Sequence, residues 1–415
     1  MTLSHRPSEE SIDTARIRSR VEAEAYVASV CFKHGPPTLA GVELEWTVHH
    51  RADPRRPLDA DTLASALGAH APTMLVPDSP HLPLPSGSMI TVEPGGQVEI
   101  SCLPQHGIRR LVEVVDEDRA LLTELLGAHD LRLGTRGIDP WRPANRLLHT
   151  PRYDAMERAF DRIGPGGKTM MCSTAGLQVC LDAGEIDEAP LRWSTLHALG
   201  PILIATFANS RQAAGAPSGW ASARMRSLFA TDPVRVRPGR CDPDPAGQWA
   251  RRVLDTPTIC VRRPGQCWDV DLPMRFADWI EGSLSPPPGI DDLDYHLTTL
   301  FPPVRPRGYL EVRYLDAQPG ADWAVPALVL IALFAQPATV ARAAELSRPA
   351  AHRWITSARD GLADPVLAAA APKVIDLACA ALCGLDLPAD LLARVVETAQ
   401  RRAAGVTADL GEDGI

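Results

Sequence analysis

The chain has 415 residues, 45% of them apolar, enough to bury a large core and, by length alone, to form two or three domains. Its formal charge of −9, with no Lys/Arg cluster interleaved with aromatics, argues against a nucleic-acid partner, because a phosphate backbone requires a concentrated positive footprint. Nine cysteines without CxxC spacing suit a reducing compartment better than a disulfide framework or a zinc site. The N-terminus has no apolar signal core, and the most apolar run, Trp323–Ala335, is too short to span a bilayer. A cytoplasmic protein without membrane contact is therefore expected.

Residues 1–10 are polar and are expected to be disordered. Apolar positions at Ile17, Val21, Ala25 and Val27 predict an amphipathic helix between Ser11 and Lys33, capped by Ser11 or Asp13. After the Gly35-Pro36-Pro37 break, Gly41–Val48 alternates as a strand. Val42, Leu44, Trp46 and Val48 share one face, and Glu43 and Glu45 share the other. Residues 58–70 read as helix, followed by the Pro-rich loop Pro77–Pro85. The stretch Thr91–Pro104 reads as a strand, a Pro94-Gly95-Gly96 turn and a second strand. Val98 and Ile100 face inward there, and Gln97, Glu99 and Ser101 lie opposite.

Leu111–Leu126 is a helix, Leu131–Gly137 a short strand, Asp139–Pro143 a loop carrying Trp141, and Met156–Ile163 a helix. Lys168–Asp182 reads as extended, with Leu177, Val179 and Leu181 inward and Gln178, Cys180 and Asp182 opposite. A helix from Asp187–Pro190 to about Ala208 follows. Asn209–Arg235 reads mostly as loop, in which Ser222, Arg224, Arg226 and Arg235 supply hydroxyl and cationic groups. Ala246–Asp255 reads as helix, Thr258–Arg262 as strand and Phe276–Gly282 as a short helix. In the last alternating strand, Tyr309–Tyr314, Glu311 and Arg313 oppose Leu310 and Val312. Trp323–Ala404 reads as helix throughout, with a loose acidic tail from 405. With no internal repeat and no long linker, one domain over 11–404 is expected.

Four strands thus carry Glu43/Glu45, Glu93/Glu99, Gln178/Asp182 and Glu311/Arg313. Paired in one sheet, they present a face of carboxylates that must be compensated by counter-charge or metal. Oxygen-only ligands select Mg²⁺ or Mn²⁺, and carboxylate-held Mg²⁺ commonly bridges nucleotide phosphates. Gly164-Pro165-Gly166-Gly167-Lys168-Thr169 lacks P-loop spacing and is expected to lead into a strand, so no Walker A site is read there. No Ser-His-Asp or Cys-His signature is apparent. His296 reads as a hydrogen-bonding structural residue, and Trp141 and Trp220 as packing.

Taken in order, five segments resemble the glutamate–cysteine ligase family, in its plant-type and proteobacterial branch and especially its actinobacterial ergothioneine-pathway form. They are Gly41–Glu45, Glu93–Ser101, Met170–Asp182, Phe207–Ser210 with Gly219–Arg224, and His296–Pro302 with Val304-Arg305 and Tyr309–Arg313. The chain departs from the pattern at Cys180, where Asn is usual, at Arg211, where Pro is common, and at Pro306. The resemblance implies an α+β fold, an antiparallel β-sheet cup of the glutamine synthetase and guanido kinase type with surrounding helices and a helical C-terminal third. It implies ATP-dependent joining of the L-glutamate γ-carboxylate to the L-cysteine amine through a γ-glutamyl phosphate. Carried over by position, Glu43, Glu45, Glu93, Glu99, Gln178 and Glu311 would hold Mg²⁺. Arg313 would meet the transferring phosphoryl group, and Arg224, Ser222 and Arg305 would bind substrate. Other readings are a ligase for another amine acceptor, a phosphagen-type kinase, or a non-catalytic sensor of amino acid or nucleotide on the same fold.

Overall fold

A computed structural model of the chain describes residues 16–239, 242–263, 267–270 and 273–407. The tail at 1–10, the proposed caps Ser11 and Asp13, and the end of the chain after 407 lie outside the described residues. The strands are β1 (Ala40–Trp46), β2 (Val48–His50), β3 (Met89–Val92), β4 (Val98–Ser101), β5 (Leu131–Leu133), β6 (Gly176–Leu181), β7 (Gln212–Ala213), β8 (Ala216–Pro217), β9 (Val304–Pro306) and β10 (Leu310–Asp316). Six of them form one sheet in the order β3-β4-β1-β6-β10-β9, antiparallel at every pairing. The four alternating segments of the sequence are its four central strands. Their period of two sorts the side chains into two faces.

On the apolar face Val42, Leu44, Ile90, Val92, Val98, Ile100, Leu177, Val179, Leu310 and Val312 are all buried. Each such side chain contributes roughly 1.5–3 kcal/mol on leaving water. The helices Ala189–Phe207 and Ala324–Leu333 pack on this face, against β10 and β6 respectively. The second is apolar all round, and the first is apolar along most of its surface but buries Arg192, Thr195 and His197 as well. Pro326 sits in the first turn of the second, where its missing N–H costs no hydrogen bond. Trp323–Ala404 is a set of helices: Ala324–Leu333, Pro337–Ser347, Trp354–Asp360, Pro365–Leu382 and Ala389–Ala403. Pro365–Leu382 is long and apolar enough to cross a membrane by length and composition. Its apolar face packs on four of the neighbouring helices.

Four local expectations are corrected. The first described helix is Arg20–Cys31, capped by the Ser19 side chain, and Val21 is exposed on it. Gly166–Ser173 is a helix, so the Gly-Lys-Thr leads into a helix, not a strand; Lys168 there pairs with Glu157 at 2.9 Å. The span 209–235 holds the helix Ala223–Phe229 and the β7–β8 hairpin. Thr258–Arg262 makes only an isolated bridge, Cys260 with Asp269.

The Pro94-Gly95-Gly96 turn that joins β3 to β4 has no room for larger residues. A Cβ on Gly95 would lie 2.0 Å from the Cys172 carbonyl oxygen, and Gly96 has φ of +87°. Gln97 holds the turn there, accepting from Gly95 N and donating to the carbonyls of Met171 and Thr174.

Candidate active site

The polar face of the sheet is laid out by register. Glu45 stands opposite Glu99, and Thr91 opposite Glu99 on its other side. Glu43 has Ser101 and Gln178 as its neighbours across β4 and β6. Glu311 faces Cys180 and Arg305. Between Val312 and Leu315 the β10 register shifts against β6, a bulge at Arg313 and Tyr314. Bulges re-aim side chains, and here Arg313 reaches across to Gln178 Oε1 while Tyr314 stays buried.

A cleft enclosing about 1420 Å³ of non-atom space, open solvent included, lies over this face. Glu43, Glu45, Glu93, Glu99, Gln178, Arg224, Arg305 and Arg313 line it. Eight of the ten residues singled out in the sequence therefore meet in one place. The other two do not. Ser222 is fully buried, caps the helix Ala223–Phe229 and donates to Asp316 at 2.8 Å. Glu311 is 0% exposed, with Arg305 at 2.6 Å and Arg313 at 3.1 Å, so its oxygens hold guanidiniums as the site is placed here. Asp182 also turns away, accepting from the Thr38 and Leu39 amides.

The electrostatics divide the site in two. Burial, then the Glu311 charge, pushes Glu43 up to about 7. Burial and Glu45 push Glu93 up to about 7, and burial with Glu43, Glu45 and Glu93 raises Glu99 well above the usual carboxylate range. Glu311 goes the other way. Burial opposes its charge, but Arg305 and Arg313 outweigh it and hold Glu311 down at about 2. Arg313 in turn is raised, because Glu311, Glu45 and Glu43 outweigh its own desolvation. One half of the cleft is a set of carboxylates short of positive charge. The other is an arginine cluster fixed by one carboxylate.

Gln178 joins the halves, donating to Glu45 at 2.9 Å and Glu99 at 3.4 Å while accepting from Arg313. Glu45 also accepts from the Gly176 amide at 2.7 Å, and Glu99 from the Thr91 hydroxyl at 2.7 Å. Glu43 and Glu93 have no side-chain hydrogen-bond partner among the described residues. As placed, no three acidic, His or Cys groups among the described residues form a cage for a metal ion. The fit to a hard divalent cation is one of donor chemistry: unpartnered, mutually repelling carboxylate oxygens on one wall.

Arg224 donates to the Arg313 carbonyl at 2.8 Å and stands 3.9 Å from Asp316. Behind it, Asp316 also accepts from Ser210, Ser222 and the Asn209 amide. Several residues of the site went unread in the sequence, among them Thr91, Arg152, Tyr153 and Arg307. Thr91 and Arg307 share the alternation of Glu93 and Arg305, a signal that points to both. Arg152 and Tyr153 line the cleft from the start of the helix Pro151–Asp161 and carry no such signal. His296 is buried, its Nε2 3.0 Å from the Val253 carbonyl, and neither Trp141 nor Trp220 lines the cleft.

An open antiparallel sheet backed by helices, with an acidic and arginine-bearing concave face, defines the class: the cup-shaped α+β fold. A glutamate–cysteine ligase from Francisella tularensis, solved in complex with AMP, has this fold. The match covers 92% of this chain and 84% of that one, with a TM-score of 0.50 at 15% identity. Residues 39–396 match the sequence model of glutamate-cysteine ligase family 2, and the chain belongs to that family. It is 40% identical over 380 residues to the glutamate–cysteine ligase EgtA of Mycolicibacterium smegmatis, covering 90% of this chain and 86% of that one. Identity to EgtA of Mycobacterium tuberculosis is 36% over 389 residues, 92% of this chain and 86% of that one. The chloroplastic enzyme of Nicotiana tabacum is 30% identical over 332 residues, 75% of this chain and 62% of that protein.

Proposed function

We propose that the protein joins the γ-carboxylate of L-glutamate to the amine of L-cysteine at the expense of ATP, through a γ-glutamyl phosphate, with ergothioneine synthesis as the route that consumes the product. The observation that carries this reading is the two-part cleft, acidic on one wall and arginine-bearing on the other, in a chain of this family. Phosphoryl transfer between two anions requires charge stabilisation and positioning more than a strong base. Glu43, Glu93 and Glu99, with Glu45 beside them, would hold Mg²⁺ or Mn²⁺, which would neutralise the nucleotide phosphates.

The chain's own residues account for the rest. Glu311 fixes Arg305 and Arg313, and Gln178 orients Arg313 from the other side, so that a permanent cation faces the transferring phosphoryl group. Arg224 lines the cleft, held by its Nη2 on the Arg313 carbonyl of β10, and would meet a substrate carboxylate there. Gln178 spans from Arg313 to Glu45 and Glu99, so the two walls keep a fixed spacing.

The deciding experiment incubates the purified protein with Mg²⁺, ATP and glutamate, with and without cysteine, and weighs the products. Glutamyl-cysteine with ADP and phosphate, formed only when cysteine is present, is the expected result. ADP without that dipeptide points to another amine acceptor or a kinase. No nucleotide turnover by folded protein favours a sensor.

A further inference from the structure

Another cavity lies at the far end of β10, between the Ala189–Phe207 helix and the Ala389–Ala403 helix. It holds about 490 Å³ of non-atom space, open solvent included, and shares no lining residue with the acidic cleft. Arg402 forms part of its wall and is 5% exposed. One of its donors caps the Ala189–Phe207 helix through the Ala208 carbonyl at 3.0 Å. Its Nε and Nη1 have no hydrogen-bond partner among the described residues. A buried guanidinium with two donors left open favours an occupant that accepts from them. Burial lowers its pKa only to about 10, with Asp316 and Asp322 opposing the shift, so it stays charged at neutral pH.

Two more charged groups reach the same cavity. Arg401 is exposed at its rim, and Asp322 stands half-buried in its wall; neither makes an ion pair within 4 Å or a side-chain hydrogen bond among the described residues. Phe207 and Val325 supply an apolar side. Two cations and one carboxylate, none in a close ion pair among the described residues, around a partly apolar pocket match a molecule that carries both charges itself. A dianion would meet repulsion from Asp322, and a bare cation would meet Arg402.

We propose that this cavity is a binding site for a free zwitterionic α-amino acid, its carboxylate on Arg402 and Arg401 and its ammonium on Asp322. Gln318 in the same wall donates to the Phe207 and Asp316 carbonyls, so the occupant meets the strand end that carries Asp316, the carboxylate behind Arg224. The site stands independently of the ligase reading.

The test titrates the full-length protein with the proteinogenic amino acids at millimolar concentration, with acetate and phosphate as plain anions, first by thermal shift and then by calorimetry. At least one amino acid is expected to bind saturably, with tenfold or greater loss in both Arg402→Gln and Asp322→Asn and no loss in Arg313→Ala. Because Arg402 also caps a helix, Asp322→Asn and Arg401→Gln keep the test open should the first variant fail to fold. Equal binding of acetate or phosphate, unchanged in Asp322→Asn, would reduce the site to a plain anion site and overturn the proposal. So would the absence of any saturable binding that Asp322→Asn or Arg401→Gln weakens.

Discussion

At the scale of single residues, the site separates carboxylates that lack positive charge from one that is surrounded by it. Glu99→Gln keeps the shape and the Thr91 contact but removes the anion from the acidic wall. Turnover is expected to fall at least about 100-fold with circular dichroism unchanged; near-normal turnover would remove Glu99 from the metal-holding set. Glu311→Gln is a different experiment on the same sheet. It strips the counter-charge from Arg305 and Arg313 in a fully buried setting, so a loss of about 3–5 kcal/mol in stability is expected, visible as a lower denaturant midpoint. A stable, merely inactive Glu311→Gln would instead favour the ligand role that the resemblance implies for it. The sequence showed both residues as Glu on a polar strand face and had no means to tell them apart. What distinguishes them is the strand next door: β9 brings Arg305 opposite Glu311, whereas β1 brings Glu45 opposite Glu99.

At the scale of elements, the strands were legible because apolar residues alternating with glutamate at a period of two arise mainly where one sheet face is core and the other polar. The elements that escaped were those whose local pattern is overridden by tertiary contacts. Ala223–Phe229 has a Ser222 cap but only seven residues, and its burial comes from neighbours distant in sequence. Gly166–Ser173 begins with two glycines, poor helix formers, packed against Ala230 and Phe160 where a Cβ would not fit. The same close packing gives β6 a glycine with consequences. A Cβ on Gly176 would lie 2.3 Å from Arg224 Nη2, and the Gly176 amide donates to Glu45. Gly176→Ala is therefore expected to push Arg224 aside and raise KM for glutamate several-fold, at a stability cost of about 1–3 kcal/mol. Unchanged KM would show that Arg224 does not touch that substrate.

At the scale of the whole molecule, buried titratable groups set how stability responds to pH, and the acidic wall has a definite sign. The folded value of Glu43 is raised to about 7, above its ordinary 4.5. Between those values the folded state holds a proton that the unfolded state has lost, so that contribution is complete below about 4.5 and disappears as pH rises through 7. Buried His49, His197 and His296 oppose this, since burial lowers them to about 4, 4 and 3 and they favour the folded state as pH rises toward 6.5. The raw profile is a sum, but a variant cancels the histidines. Glu43→Gln should match wild type at pH 4.5 in the absence of divalent cations and exceed it by about 2–3 kcal/mol at pH 7.5. Mg²⁺ at pH 7.5 should stabilise wild type more than the variant, narrowing that gap as it compensates the charge. Urea midpoints at the two pH values, with EDTA and then with Mg²⁺, read both effects. A gap that is the same at both pH values, or that Mg²⁺ leaves untouched, would mean that Glu43 is neither strained by burial nor part of the cation's wall. A variant that is more stable yet inactive would instead locate the cost of function in the charge that the sheet holds ready for the cation.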